Sequence, residues 1–238
     1  MREQLEIVDL GMVEYQRAHA LQQALVGARL RDQITDTLLV LEHPHVYTLG
    51  RGADEKFILA PRPEVPVIRV ARGGQVTYHG PGQVVAYPIL KLEGPARDVG
   101  RYLRQLEQVM IDALARHGVC AERRVRLTGV WIGARKIASI GVGIRRWVTY
   151  HGLALNLSTN LSYFDSIVPC GIEGCQMTSL ARLGRTDVGM AEFTNSLCEN
   201  FGKVFGYARL THRSGDTIWS WSDLRLTGAE PPANEARG

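Results

Sequence analysis

Apolar positions recur with two different periods along the 238-residue chain. Leu5-Glu6-Ile7-Val8-Asp9-Leu10 alternates and predicts a strand. From Val13 to Arg31 apolar residues return at Ala18, Leu21 and Leu25, the spacing of an amphipathic helix. Asp36 to Glu42, with Leu38-Leu39-Val40-Leu41, predicts a buried strand; His43-Pro44-His45 breaks it and Val46-Tyr47-Thr48-Leu49 resumes. Residues 53–66, with Pro61, Pro63 and Pro66, predict a long loop. Val67 to Val70 is a strand, and Val84 to Leu92 is another that Pro88 breaks near its middle. Asp98 to His117 is the clearest helix: Asp98 caps it, Val99, Tyr102, Leu103, Leu106, Met110 and Leu114 form one stripe, and Gly118 stops it. Three consecutive strands follow at 129–132, 136–144 and 147–155, then an irregular segment at 161–174 and a helix from Asp187 to Phe205. Consecutive strands with separated helices argue an α+β fold with a largely antiparallel or mixed sheet. No repeat and no linker divides the chain, so residues 1–226 read as one domain. Residues 227–238 lack apolar content and predict a disordered tail.

Composition changes this picture little. Hydrophobic residues make up 45% and charged residues 22%, enough to bury a core without disulfides or metal. No apolar run approaches the roughly 18 residues of a membrane span, and the first residues lack the apolar core of a secretory signal. Cys120, Cys170, Cys175 and Cys198 form no CxxC pair and predict reduced thiols in a cytoplasmic protein. The net charge is +4, with arginine outnumbering lysine 24 to 4. Scattered arginines without aromatic interleaving exclude a nucleic-acid patch, but a basic surface can steer an acidic protein.

Candidate chemistry gathers in four places. Arg72-Gly73-Gly74-Gln75-Val76-Thr77-Tyr78-His79-Gly80-Pro81-Gly82-Gln83 combines bare backbone with polar groups, which suits the wall of a narrow pocket as well as a tight hairpin. It lacks the Lys-Ser/Thr of a phosphate-binding loop and opens no helix. Cys170 sits between Pro169 and Gly171, on a bend that can project a thiol into a cleft and bring the Gly171 amide to an oxyanion; a lone cysteine is equally a small buried hydrophobe. Lys136 opens a strand of small and apolar residues, either snorkelling to water or serving as a cation beside a thiolate. His79 and His151, each followed by glycine, are alternative bases. No third and fourth ligand accompanies Cys170 and Cys175, so no metal is expected.

In combination, Arg72 to Gln83, Arg135-Lys136-Ile137-Ala138-Ser139-Ile140-Gly141, His151-Gly152-Leu153-Ala154-Leu155-Asn156 and Pro169-Cys170-Gly171-Ile172 resemble the lipoate-protein ligase B family, the octanoyltransferases, from about Leu5 to Phe205. The resemblance implies a mixed central sheet flanked by helices, like the biotin and lipoate ligase catalytic domain. It implies no cofactor. Octanoyl would arrive on acyl carrier protein, form a thioester on Cys170, and pass to a lysine of lipoyl domains of 2-oxoacid dehydrogenases or the glycine cleavage H protein. Lys136 would favour the Cys170 thiolate. Arg72 to His79, Ser139-Ile140-Gly141 and Gly152-Leu153-Ala154 would contact substrate. An ATP-dependent lipoate or biotin ligase on the same fold and a non-catalytic acyl-binding module are the alternatives.

Overall fold

The computed structural model describes residues 2–60 and 62–218. The tail expected at 227–238 lies outside the described residues, as does the end of the span read as one domain. Eleven strands are described: β1 (Arg2–Met12), β2 (Asp36–Glu42), β3 (Val46–Leu49), β4 (Val67–Arg69), β5 (Val76–His79), β6 (Gln83–Ile89), β7 (Glu122–Arg124), β8 (Leu127–Ile132), β9 (Arg135–Arg145), β10 (Val148–Asn156) and β11 (Tyr207–Ser214). The helices are α1 (Tyr15–Leu30), α2 (Val99–Arg116), α3 (Met190–Phe205) and the short α4 (Gly215–Ile218).

Eight strands form one sheet in the order β11-β1-β2-β6-β10-β9-β8-β7. β1 runs parallel to both its neighbours and the remaining pairings are antiparallel, so the sheet is mixed. Period-2 alternation sends successive side chains to opposite faces. Leu38 and Val40 of β2, with Val84 and Ala86 of β6, meet the stripes of α2 and α3. Leu39, Leu41, Val85 and Tyr87 meet α1 through Ala18, Leu21, Leu25 and Val26. Helices therefore cover both faces. A second sheet, β4-β3-β5, closes its own core with Phe164, Ile167 and Met177.

Most expected elements are present within a few residues. Asp98 caps α2 by accepting the Arg101 amide at 2.9 Å, and Gly118 follows at φ 71°. Pro88 does not break β6: it pairs opposite Leu38, while β10 pairs with β6 only from Ala86 to Gln83, so its missing N–H interrupts no bond on that side. The irregular segment holds two short 3₁₀ helices, Leu161–Ser166 with two turns and Pro169–Gly171 with one. Among the described residues no helix is long and apolar enough to cross a membrane.

Candidate active site

The α1 face of the large sheet carries a cleft. Its floor is the β9–β10 seam, where Ser139 pairs with Ala154, Ile140 with Leu153 and Gly141 with Gly152. The Arg72–Gly74 turn and β5 form one wall, and Tyr15 at the start of α1 forms another. The cleft is narrow, and its empty volume, the open mouth included, is about 440 Å³. A Cβ on Gly141 would lie 2.9 Å from Arg72 Cδ and 3.2 Å from the Gly73 carbonyl, so glycine there lets the Arg72 turn settle onto the sheet.

Cys170 opens onto this cleft from the Pro169–Gly171 turn. Its backbone sits at φ 58°, ψ 13°, a left-handed conformation that costs a non-glycine residue of order 1–3 kcal/mol and persists only where the surroundings enforce it. The enforcing bonds run from the Gly171 amide to the Val168 carbonyl at 3.0 Å, from Ile172 to Pro169 at 3.1 Å, and from Val168 to Phe57 at 2.8 Å. The Gly171 amide is thus occupied, and the oxyanion role expected for it does not hold.

Lys136 meets Cys170 from the sheet. Its Nζ donates to Cys170 Sγ at 3.0 Å, with Ser139 Oγ at 3.8 Å from the same sulfur. The side chain is only 1% exposed, which excludes snorkelling to water. No carboxylate pairs with it among the described residues, and its ammonium lies 5.5 Å from the centre of the Trp131 ring. Room for its stem comes from Gly129, at φ 127°, where a Cβ would lie 2.6 Å from Lys136 Cε. Glu107, buried in α2, fixes Gly129 by accepting its amide at 3.0 Å. Of the two polar side-chain contacts to the Cys170 sulfur, the Lys136 amine is the nearer.

Arg72 is also buried. Its guanidinium donates to the carbonyls of Thr48, Gly73 and Gln75 and to Thr48 Oγ1 at 2.7–3.0 Å, stapling β3 to the glycine-rich turn. Around it lie neutral rings. Burial pushes His151 down to about 3 and His43 down to about 4, and presses His79 well below its ordinary value. His79 is fixed to Gln83 at 2.7 Å, and Gln83 in turn to Asn156 at 2.9 Å. An imidazole that protonates only near pH 3 is a weak base at neutral pH, so His151 is ill suited to accept a proton there.

The cleft thus brings together Arg72, Gly74, Gln75, Val76, Thr77, His79, Ser139, Ile140, Gly141, Gly152, Leu153, Ala154 and Cys170. Gly73 is tied through its amide to the Val142 carbonyl, and Tyr78 turns away, its hydroxyl 2.7 Å from His45 Nδ1 and its ring stacked on Tyr163. Tyr15 and Tyr87 line the cleft without having been singled out in the sequence. Burial raises Cys175, and lifts the buried Cys198 to about 12. No group of three metal-ligating side chains occurs among the described residues.

The catalytic-domain model of lipoyl protein ligases A and B matches residues 14–202. An octanoyltransferase of Solibacter usitatus is 47% identical over 206 residues, covering 84% of this chain and 93% of its own. One from Geobacter sulfurreducens is 50% identical over 188 residues, covering 79% of each. Among solved structures, an archaeal lipoylation system from Thermoplasma acidophilum, a bipartite lipoate protein ligase and its E2 lipoyl domain, superposes with a TM-score of 0.66 at 14% identity, covering 97% of this chain and 93% of that one. That likeness concerns the fold, whereas the sequence matches extend through the motifs that build the cleft. By its sequence and by the sheet that carries its cleft, the chain belongs to the lipoyl protein ligase A/B catalytic domain family.

Proposed function

We propose that this chain is an octanoyltransferase of protein lipoylation, acting in the cytoplasm, with Cys170 as nucleophile and Lys136 as its charge and proton partner. The observation that carries this reading is the 3.0 Å contact between Lys136 Nζ and Cys170 Sγ at the cleft. The donor is octanoyl-acyl carrier protein. The acceptors are lipoyl domains of 2-oxoacid dehydrogenases and the glycine cleavage H protein.

In the first half-reaction the Cys170 thiolate attacks the donor thioester carbonyl. A carbon–sulfur bond to Cys170 forms, the donor's carbon–sulfur bond breaks, and the departing thiolate takes a proton from the Lys136 ammonium. In the second half the acceptor amine attacks the Cys170 thioester. The amide forms, Cys170 leaves as thiolate, and neutral Lys136 takes the proton from the amine. The resting ion pair is restored. Exchange between thioesters is close to isoenergetic and amide formation runs downhill, so no ATP is required. Arg72 to His79, with Gly73 and Tyr78 supporting the wall, and the seam residues Ser139 to Gly141 and Gly152 to Ala154 hold the acyl chain. Burying its seven hydrocarbon carbons at about 0.8 kcal/mol each contributes at most about 5–6 kcal/mol.

Incubation with octanoyl-acyl carrier protein should raise the intact mass by one octanoyl group, mapped to Cys170 and absent in Cys170→Ser. An unmodified wild-type protein that still transfers octanoyl would exclude the covalent route. Transfer that requires ATP would favour the ligase alternative, and binding without transfer the acyl-binding module.

A further inference from the structure

Behind the Cys170 turn lies a second depression that the transfer mechanism does not use. It is larger than the acyl cleft, with an empty volume, the open mouth included, of about 1110 Å³. Pro169 lines it while Cys170, the next residue, lines the cleft, so the 169–171 turn is the wall the two share. Arg135 and Arg182 both line the groove, as do Cys175 and Met177. Both arginines are exposed, and neither forms an ion pair among the described residues. Asp165 is the one carboxylate among the lining residues, so the groove carries two cations against one anion. Arg124 stands near its edge, reaching from β7 to the Gly133 carbonyl in the β8–β9 hairpin at 2.7 Å.

Charge decides which substrate this groove suits. The acceptor approaches Cys170 with a lysine, cationic in water, which a pair of guanidiniums repels. A carrier-borne acyl group arrives on a phosphopantetheine arm, which carries a phosphodiester at the end opposite the thioester, so the phosphate docks at arm's length from the reacting carbonyl. Guanidinium groups are well matched to phosphate oxygens, through paired N–H donors and charge. We propose that Arg135 and Arg182 bind the phosphodiester of the donor's pantetheine arm in this groove. The arm then crosses the 169–171 turn, so that its thioester carbonyl reaches Cys170 while the octanoyl chain enters the cleft. Arg135, immediately before Lys136, has no other role in the site. The groove would make donor loading depend on the phosphate, and it leaves the acceptor a different approach.

This rests on the octanoyl-transfer reading, and two donors separate the two claims. Octanoyl-acyl carrier protein carries the phosphate; octanoyl-N-acetylcysteamine has the same thioester without it. Loading of Cys170 is followed by intact mass. In Arg135→Gln/Arg182→Gln, kcat/KM for the carrier donor should fall about tenfold relative to that for the truncated donor. Asp165→Asn, which removes the opposing charge, should lower KM for the carrier donor. An unchanged donor ratio in the double variant would overturn the groove. So would a defect confined to handing octanoyl from preloaded Cys170 to a lipoyl domain, which would make this the acceptor's surface. Failure of the wild-type protein to load from either donor would remove the transfer reading and the groove with it.

Discussion

Lys136 is a charge held where charge is costly. Its side chain is buried, no carboxylate pairs with it among the described residues, and its close polar contact is a sulfur. Taking a charge out of water carries a desolvation penalty of several kcal/mol per ion, which an apolar side chain of similar volume does not carry, and Cys170 left without Lys136 can hold its proton and stay neutral. Lys136→Met should therefore leave the protein as stable as wild type or more so in urea titration, while octanoyl transfer collapses. Reduced stability with activity retained would make Lys136 a packing residue. Lys136→Arg separates charge from proton transfer, because arginine stays protonated. It should keep Cys170 reactive toward iodoacetamide yet transfer slowly to the lipoyl domain; loss of both would show that the fit around the stem is decisive. The other thiols supply the contrast. Cys198 is buried and lifted to about 12, and Cys175 is raised by burial, so at neutral pH both should alkylate more slowly than Cys170. Equal rates for Cys170 and Cys198 would contradict an activated thiol.

At the scale of elements, the lysine depends on a strand it does not belong to. β8 gives way at Gly129, where the backbone at φ 127° and the absent side chain admit Lys136 Cε, and α2 holds that position through Glu107. Gly129→Ala should strain the backbone and displace the ammonium. It should slow Cys170 alkylation by a factor resembling that of Lys136→Ala, with a loss of stability of roughly 1–3 kcal/mol. Alkylation at the wild-type rate would separate Gly129 from the site. This dependence shows what the sequence could disclose. The strands and helices of the large sheet were legible because their apolar residues repeat with periods 2 and 3.6, and Cys170 and Lys136 because their neighbours are unusual for a thiol and a cation. β11 was not: Tyr207-Ala-Arg-Leu-Thr-His-Arg-Ser is an edge strand whose exposed positions carry charge, so no apolar alternation marks it. Tyr15 and Tyr87 entered the cleft only when α1 folded over β6 and β10, a proximity no local pattern encodes. Tyr78 failed in the opposite way. It shares a motif with Thr77 and His79, yet strand alternation turns it into the core of the small sheet.

For the whole molecule, the cleft couples function to acid stability. His43 and His151 are buried, protonating near pH 4 and pH 3 in the folded state against about 6.5 in an unfolded chain. Between those values the unfolded state binds more protons than the folded one, so stability falls as pH drops. Their contribution is complete above about pH 6.5 and declines toward pH 4 and below. At pH 5 each histidine lowers stability by at most about 2 kcal/mol. His79, pressed the same way, adds to the slope. Urea titration at pH 7.5 and pH 5 should show this loss in wild type. It should be clearly smaller in His43→Gln/His151→Asn, where asparagine tolerates the positive φ of 53° at position 151. The same pH dependence in the double variant would place the acid sensitivity elsewhere. The neutrality that costs stability in acid also shapes the site. With its histidines uncharged at pH 7, the cleft has two buried cations, Arg72 and Lys136, and Arg72 is already bound to backbone carbonyls. Lys136 is then the cation left to face Cys170, and an additional imidazolium beside it would oppose the proton return that the second half-reaction needs. Octanoyl transfer should thus decline below neutral pH before the fold does, because the small neutral fraction of the acceptor lysine, already cationic at pH 7, falls about tenfold with each pH unit while the buried rings remain neutral. Loss of activity that tracks unfolding point for point across pH 5–7.5 would contradict that order.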